Sequence, residues 1–246
     1  MGTAQNPLLM DVPMPIRTPR LLLRPKQPGD GSATVAAVSE TWNDLHQWMH
    51  WAEKLEDNTV EQQEVRNRLV MAKFILREEF NLVGIEIATG QPVIWCGFHD
   101  IDWKARQCDT GFWVRKSAQG HGYATESTNA LLRYAFGALG LRRVGITHSG
   151  GNEASRRVVE KLGFAPEGVQ RLANRLPGGR VADKYCYARL DLVGLPPLDV
   201  QWGAPYRAFP PPTTRRRPFL QASANVTQTH LANPHPRRRN QPAPRR

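Results

Sequence analysis

The sequence predicts a mixed α/β fold, and three observations carry that prediction. Short runs rich in branched and aromatic residues alternate with stretches whose apolar residues recur at helical spacing. A glycine turn, Gln119–Gly120–His121–Gly122–Tyr123–Ala124, joins one such run directly to one such stretch. The chain of 246 residues is long enough to bury a full core without disulfides.

Arg20–Arg24 (RLLLR) reads as a short apolar strand. The PGD turn at 28–30 opens a helical region that runs to about Trp51. Within it Trp42, Leu45, Trp48 and Trp51 recur at helical spacing, the pattern of a core stripe. Thr59–Glu79 gives a second, long helical pattern. Asn81–Ala88 and Val93–Ile101 are strand-like and separated by TGQ, and a third strand, Cys108–Arg115, leads into the glycines.

From Thr125 the apolar residues Leu131, Leu132, Ala135, Phe136 and Leu139 form a helical stripe. Residues 142–149 read as a strand, and Asn152–Leu162 as a short helix closed by Gly163. The LPGGR turn at 176–180 separates two final strands that end near Leu192.

The net charge of +11 is unevenly placed. Of 33 Lys and Arg residues, nine arginines lie in 196–246 against one acid, Asp199, leaving 24 basic and 21 acidic residues before it. The same segment holds 11 of the 20 prolines. Such a composition buries little apolar surface, so 196–246 is expected to be a disordered tail, with an acidic or RNA partner as its possible use. Residues 1–16 are expected to be an extension and 17–195 the folded domain, so that truncation after Leu195 leaves the fold intact.

Cys96, Cys108 and Cys186 are scattered and form no CxxC pair, which argues against a zinc site and a disulfide framework. No metal is expected. The N-terminal stretch lacks a signal-peptide pattern, and no apolar run nears the ~20 residues of a membrane span. A cytoplasmic, non-membrane protein is the expectation.

The glycine turn sits where helix amide N–H groups lack internal partners, and those groups with the helix dipole favour an anion. A phosphate-binding P-loop would continue as GK[ST], and a dinucleotide fingerprint as GxGxxG; neither follows Gly122. By itself the turn is equally a tight strand-to-helix connection.

The wider pattern is more specific. Gln119-x-x-Gly122-x-Ala124, preceded by DTGFWV and followed by GNEASRRVVEKLGFAPEG, resembles the GNAT acetyltransferases. Within them it is most similar to the ribosomal-protein N-terminal acetyltransferases of the RimJ/RimL type, from about Arg17 to Leu192. The resemblance implies a mixed, mostly antiparallel sheet with helices on both faces, and acetyl-CoA as co-substrate. It implies that the loop N–H groups from Gln119, Gly120 and His121 through Gly122, Tyr123 and Ala124 hold the pyrophosphate. It also implies that Phe112, Trp113 and Val114 pair through their backbone with the pantetheine arm, with an oxyanion donor near Trp113 or Val114. Arg115–Lys116 adds charge to the loop or is simply solvated.

Many GNATs carry a tyrosine proton donor five residues before the Phe of KLGF; here that position is Val159. The RimJ/RimL pattern supplies Asn152 and Ser155 instead, with Ser155 as donor to the departing thiolate, or both residues serve as helix caps. Asp109 stands where the family places a carboxylate base, and His99, on the neighbouring strand beside Asp100, is the other candidate. The resemblance implies that the early helical region with Trp42, Leu45, Trp48 and Trp51 borders the acceptor groove, and that the acceptor is a primary amine, first the α-amine of a protein. A small amine such as an aminoglycoside or polyamine is the alternative within the enzymes. A noncatalytic CoA-binding or RNA-associated module is the alternative outside them.

Overall fold

The computed structural model describes residues 6–204 and 206. Among these, nine strands form one sheet in the order β7-β8-β6-β5-β4-β3-β2-β1-β9. They are β1 (Ile16–Arg17), β2 (Leu21–Pro25), β3 (Phe80–Glu86), β4 (Pro92–Asp102), β5 (Gln107–Val114), β6 (Arg143–Ser149), β7 (Ala165–Arg175), β8 (Val181–Arg189) and β9 (Gln201–Trp202). Only β5 and β6 run parallel; every other neighbouring pair is antiparallel.

Four helices cover the sheet: α1 (Gly31–Trp48), α2 (Val60–Ile75), α3 (Tyr123–Gly137) and α4 (Glu153–Lys161). Alternation along the strands divides the core between the two faces. Val83 and Trp95 meet Ala37 of α1 on one face. Leu82, Ile94 and Phe98 belong to the main cluster with Leu131, Leu132 and Ala135 of α3 on the other. The expected mixed, mostly antiparallel sheet with helices on both faces is therefore present.

Helix boundaries follow local chemistry. Thr59 caps α2 by accepting the N–H of Gln62 at 3.2 Å. α1 stops at Trp48, so Trp51 leaves the helical stripe and its ring approaches Trp113, 6.3 Å between centroids. α3 begins at Tyr123, two residues before the apolar stripe announces it.

The domain limits expected from composition need correction at both ends. Val12, Met14 and Ile16 are buried, so the chain joins the core before residue 17. At the other end Leu195 is buried, Leu198 and Val200 pack against the core, and β9 pairs with β1 through Ile16↔Trp202. Trp202 meets the edge of the Tyr134 ring at 5.8 Å, and the Pro196 carbonyl accepts from Asn129 and Arg133, each at 2.9 Å. The period-2 alternation Leu198-Val200-Trp202 was masked by the prolines and arginines around it. Tyr206 also packs against the core and meets Phe74 edge-on, 5.1 Å between ring centroids. The expected disorder and partners of the Arg-rich segment from 207 onward lie outside the described residues.

Cys96 and Cys108 are buried, and burial pushes both thiols up to about 12, so neither supplies a thiolate near neutral pH. Cys186 is only half-buried. Among the described residues no His/Cys/Asp/Glu group could hold a metal ion, and no helix is long and apolar enough to cross a membrane.

Candidate active site

The site begins where two parallel strands part. β5 pairs with β6 from Gln107↔Arg143 to Thr110↔Ile146, and there the pairing ends. β5 continues to Val114 and β6 to Ser149, so Gly111–Val114 has an edge with no strand on the β6 side. The N–H of Arg115 donates to Val93 of β4, so by the two-residue period the N–H groups of Trp113 and Gly111 also face β4. The N–H groups of Phe112 and Val114 face the gap. Of Trp113 and Val114, only Val114 turns its N–H to the gap.

The gap opens into a cleft of about 490 Å³, within the usual range for small-molecule sites. One wall is Phe112–Val114, the floor is the glycine turn and the start of α3, and the other wall is α4 with Asn152. Leu45, Trp48 and Met49 close it from α1. Trp113 stacks flat on Trp95, 4.1 Å between centroids and 2° between planes, which fixes the strand carrying the gap.

Gly120 and Gly122 have φ of 80° and 83°, the left-handed region that side chains rarely adopt. The turn itself therefore requires both glycines. It leaves the first turn of α3 bare: the N–H groups of Gly122, Tyr123, Ala124 and Thr125 have no acceptor among the described residues. Four converging donors at a helix N-terminus fit a phosphate group. Arg20 clamps this turn, donating to the His121 carbonyl at 2.9 Å and pairing with the buried Glu126 carboxylate at 2.5 Å. The His121 ring folds back on the Gln119 carbonyl, its Nδ1 2.9 Å away, so His121 contributes backbone rather than side chain here.

The Gln119 amide is not free. Its Nε2 donates to Asp44 of α1 at 2.8 Å and to the Val114 carbonyl at 3.3 Å, tying the turn to both walls. Asp44 also receives Lys116 at 2.9 Å. Partial burial pushes the Asp44 carboxyl up, but the Gln119 and Lys116 hydrogen bonds outweigh it and hold the group below the usual carboxylate range. Lys116 is thereby engaged, and Arg115 pairs with Glu40 at 2.6 Å, so neither is a spare charge for a ligand.

The free cations lie elsewhere. Arg157 and Lys161 line the cleft from α4 and have no carboxylate partner among the described residues. Arg156, next in sequence, is neutralised by Glu153 and Glu160 at 2.6 and 2.9 Å. The four-residue spacing of Arg157 and Lys161 was visible in the sequence; which arginine of the pair faced inward was not.

Asn152 and Ser155 come together at the start of α4. Asn152 Oδ1 accepts the Ser155 N–H at 3.1 Å, a side-chain cap. The Ser155 hydroxyl has no hydrogen-bond partner among the described residues and lines the cleft. Val159, where a tyrosine donor stands in many GNATs, is fully buried in the core, while Val158 reaches the cleft. Asp109 is not brought to the cleft walls. Its carboxylate leans over Gly145, and the nearest cation is Arg143 at 3.9 Å.

Residues 20–165, more than half of the chain, match the family described as the acetyltransferase (GNAT) domain. The chain is 30% identical over 154 residues to a Bacillus subtilis (strain 168) protein named as ribosomal N-acetyltransferase YdaF, covering 61% of this chain and 81% of that one. In fold it is similar to the ribosomal-protein-S5-alanine acetyltransferase from Vibrio fischeri, with a TM-score of 0.66 and 18% identity over 76% of this chain and 100% of that one. It is similar also to Mycobacterium smegmatis RimJ in complex with CoA-disulfide, with a TM-score of 0.64 and 24% identity over 74% of this chain and 88% of that one. The chain therefore belongs to the GNAT family of N-acetyltransferases, with acetyl-CoA as acetyl donor.

Proposed function

We propose that the protein moves the acetyl group of acetyl-CoA to the N-terminal α-amine of a protein, a ribosomal protein being the first candidate. The observation that carries this reading is that, among the described residues, no free carboxylate lines the cleft. Its one carboxylate, Asp44, is occupied by Gln119 and Lys116. An α-amine, with a pKa of about 8, loses its proton near neutral pH to a weak base or to water, whereas a lysine amine, near 10.4, does not. The naming of YdaF as a ribosomal N-acetyltransferase supports the same choice.

On this reading the first turn of α3 holds the pyrophosphate, and the free edge of Phe112–Val114 lies along the pantetheine arm. Arg157 and Lys161 supply the positive charge. The Val114 N–H faces the thioester carbonyl and stabilises the charge that develops on its oxygen. Ser155 gives its hydroxyl proton to the departing thiolate, and the Asn152 cap holds the Ser155 backbone in place. Leu45, Trp48 and Met49 form the apolar border past which the acceptor enters.

A panel of peptides with free N-termini, aminoglycosides and polyamines, assayed by CoA thiol release, tests the assignment. Turnover is expected with the peptides. Turnover with the small amines alone would replace this acceptor class with theirs.

A further inference from the structure

We propose that His99, oriented by Asp100, accepts the proton that the acceptor amine loses during acetyl transfer. The inference rests on the acetyl-transfer reading of the cleft but not on the α-amine assignment.

His99 and Asp109 face each other across β4 and β5, on the same side of the sheet. Their side chains lean in opposite directions. The Asp109 carboxylate turns over Gly145 toward Arg143, the end of β6 away from the gap. The His99 ring turns toward Gly111: an ideal Cβ there would stand 3.6 Å from His99 Nε2. Gly111 is the first residue of β5 past the last paired position, Thr110↔Ile146, so it marks the apex of the gap. His99 and Gly111, like Asp109, are not among the residues that line the cleft, but with no side chain on Gly111 nothing on that residue stands between Nε2 and the place where the strands begin to part.

The other ring nitrogen is already engaged. Nδ1 lies 2.9 Å from Asp100 Oδ2. Asp100 owes that position to a bulge: register shifts between His99 and Asp102, and Asp100 takes a φ of 49°. Bulges beside active sites re-aim side chains in this way. With Nδ1–H donating to the carboxylate, Nε2 carries the lone pair and points to the apex. The arrangement is a base and its orienter. The charged neighbours are Asp100 on β4, Asp109 opposite on β5 and Arg143 beyond it on β6.

The step balances without a further reactant. The amine nitrogen attacks the thioester carbonyl carbon, and the N–C bond forms as the C–S bond breaks. The nitrogen's proton passes to Nε2. The sulfur leaves with the bonding pair and is protonated by Ser155 or by water, giving CoA thiol and amide, and the alkoxide or hydroxide left behind takes a proton back from solvent. The imidazolium returns its proton to solvent. Asp100 does not touch the reacting atoms and is a positioning residue.

The test uses the whole chain and whichever primary amine the wild-type protein turns over, so the acceptor class does not decide it. His99→Ala is expected to lower kcat/KM for the amine at neutral pH about 100-fold, the lower end of general-base contributions. The Kd for CoA should be unchanged, and added imidazole should restore part of the rate. Asp100→Asn should lower kcat about tenfold with KM for the amine unchanged, the split expected when only the base is misaligned. Both side chains are exposed, and unchanged CoA binding reports that each variant is folded. Wild-type kcat/KM in His99→Ala would overturn the proposal. A loss confined to Asp109→Asn would overturn it equally and give the proton to that carboxylate.

Discussion

The Asn152 side chain caps α4 through the Ser155 N–H at 3.1 Å, while Ser155 lines the cleft and its hydroxyl has no hydrogen-bond partner among the described residues. The two roles are therefore separable by mutation. Ser155→Ala removes no cap, so its stability should stay near wild type while kcat falls, by about 100-fold or less because a CoA thiolate is already a fair leaving group. Asn152→Ala should instead cost about 1 kcal/mol of stability. Thermal melts and kcat at saturating acetyl-CoA check both. A destabilised Ser155→Ala protein with unchanged kcat would reverse the division.

Arg157 and Lys161 line the cleft without a carboxylate partner among the described residues, whereas Arg156 is spent on Glu153 and Glu160. Exposed charge interactions contribute up to about 1 kcal/mol each and weaken with salt. Arg157→Ala with Lys161→Ala should raise the Kd for CoA about three- to tenfold at low salt, with the difference shrinking at high salt. Arg156→Ala should leave it unchanged. Calorimetric titration of CoA at two salt concentrations distinguishes the two faces of α4.

Glu64 of α2 holds the start of α1. Its carboxylate accepts the Gly29 N–H at 3.1 Å, the Arg68 guanidinium at 2.8 Å and the Gly31 N–H at 2.7 Å. These bonds, that from Gly29 first, hold the carboxyl down at about 2. A folded pKa below the unfolded one means that folding releases protons between the two values. The stabilisation is then fully present above the ordinary value of 4.5 and lost as pH falls toward 2. The Tm difference between wild type and Glu64→Gln should be widest near neutral pH and close across that window. A pH-independent difference would remove the carboxylate from this role.

The segment after Leu195 belongs to the fold. Truncation there removes β9, the Trp202 contact with Tyr134 and the Pro196 carbonyl that serves Asn129 and Arg133. The loss should be at least ~2 kcal/mol, the scale of one large apolar side chain leaving a packed site. Truncation after Ala208, beyond the packed Tyr206, should retain the wild-type Tm. Equal melting of the two truncated chains would place the boundary back at 195.

The strands and helices between Leu21 and Arg189 were legible because each keeps one period over several residues, as the α3 stripe of Leu131, Leu132 and Ala135 does. The glycine turn was legible as well, since its two left-handed residues admit little else. β1 and β9 were not: each has two residues, too few for a period to declare itself. The period placed Asp109 and the gap on one strand, but the lean of the carboxylate depends on Gly145 and Arg143, brought alongside by the parallel pairing. Gln119 likewise takes its orientation from Asp44, 75 residues away. Side-chain direction at the site is a tertiary property, and the sequence pattern carries only its backbone.

The accepting nitrogen is an α-amine on this reading, and a lysine side chain is its direct rival. One peptide carrying both a free N-terminus and an internal lysine, incubated with the full chain and acetyl-CoA, puts the two amines in direct competition. Site-resolved mass spectrometry of the product should find the acetyl group on the α-nitrogen, with thiol release in equal amount. An acetyl group on the lysine side chain, with the N-terminus free, would contradict the account.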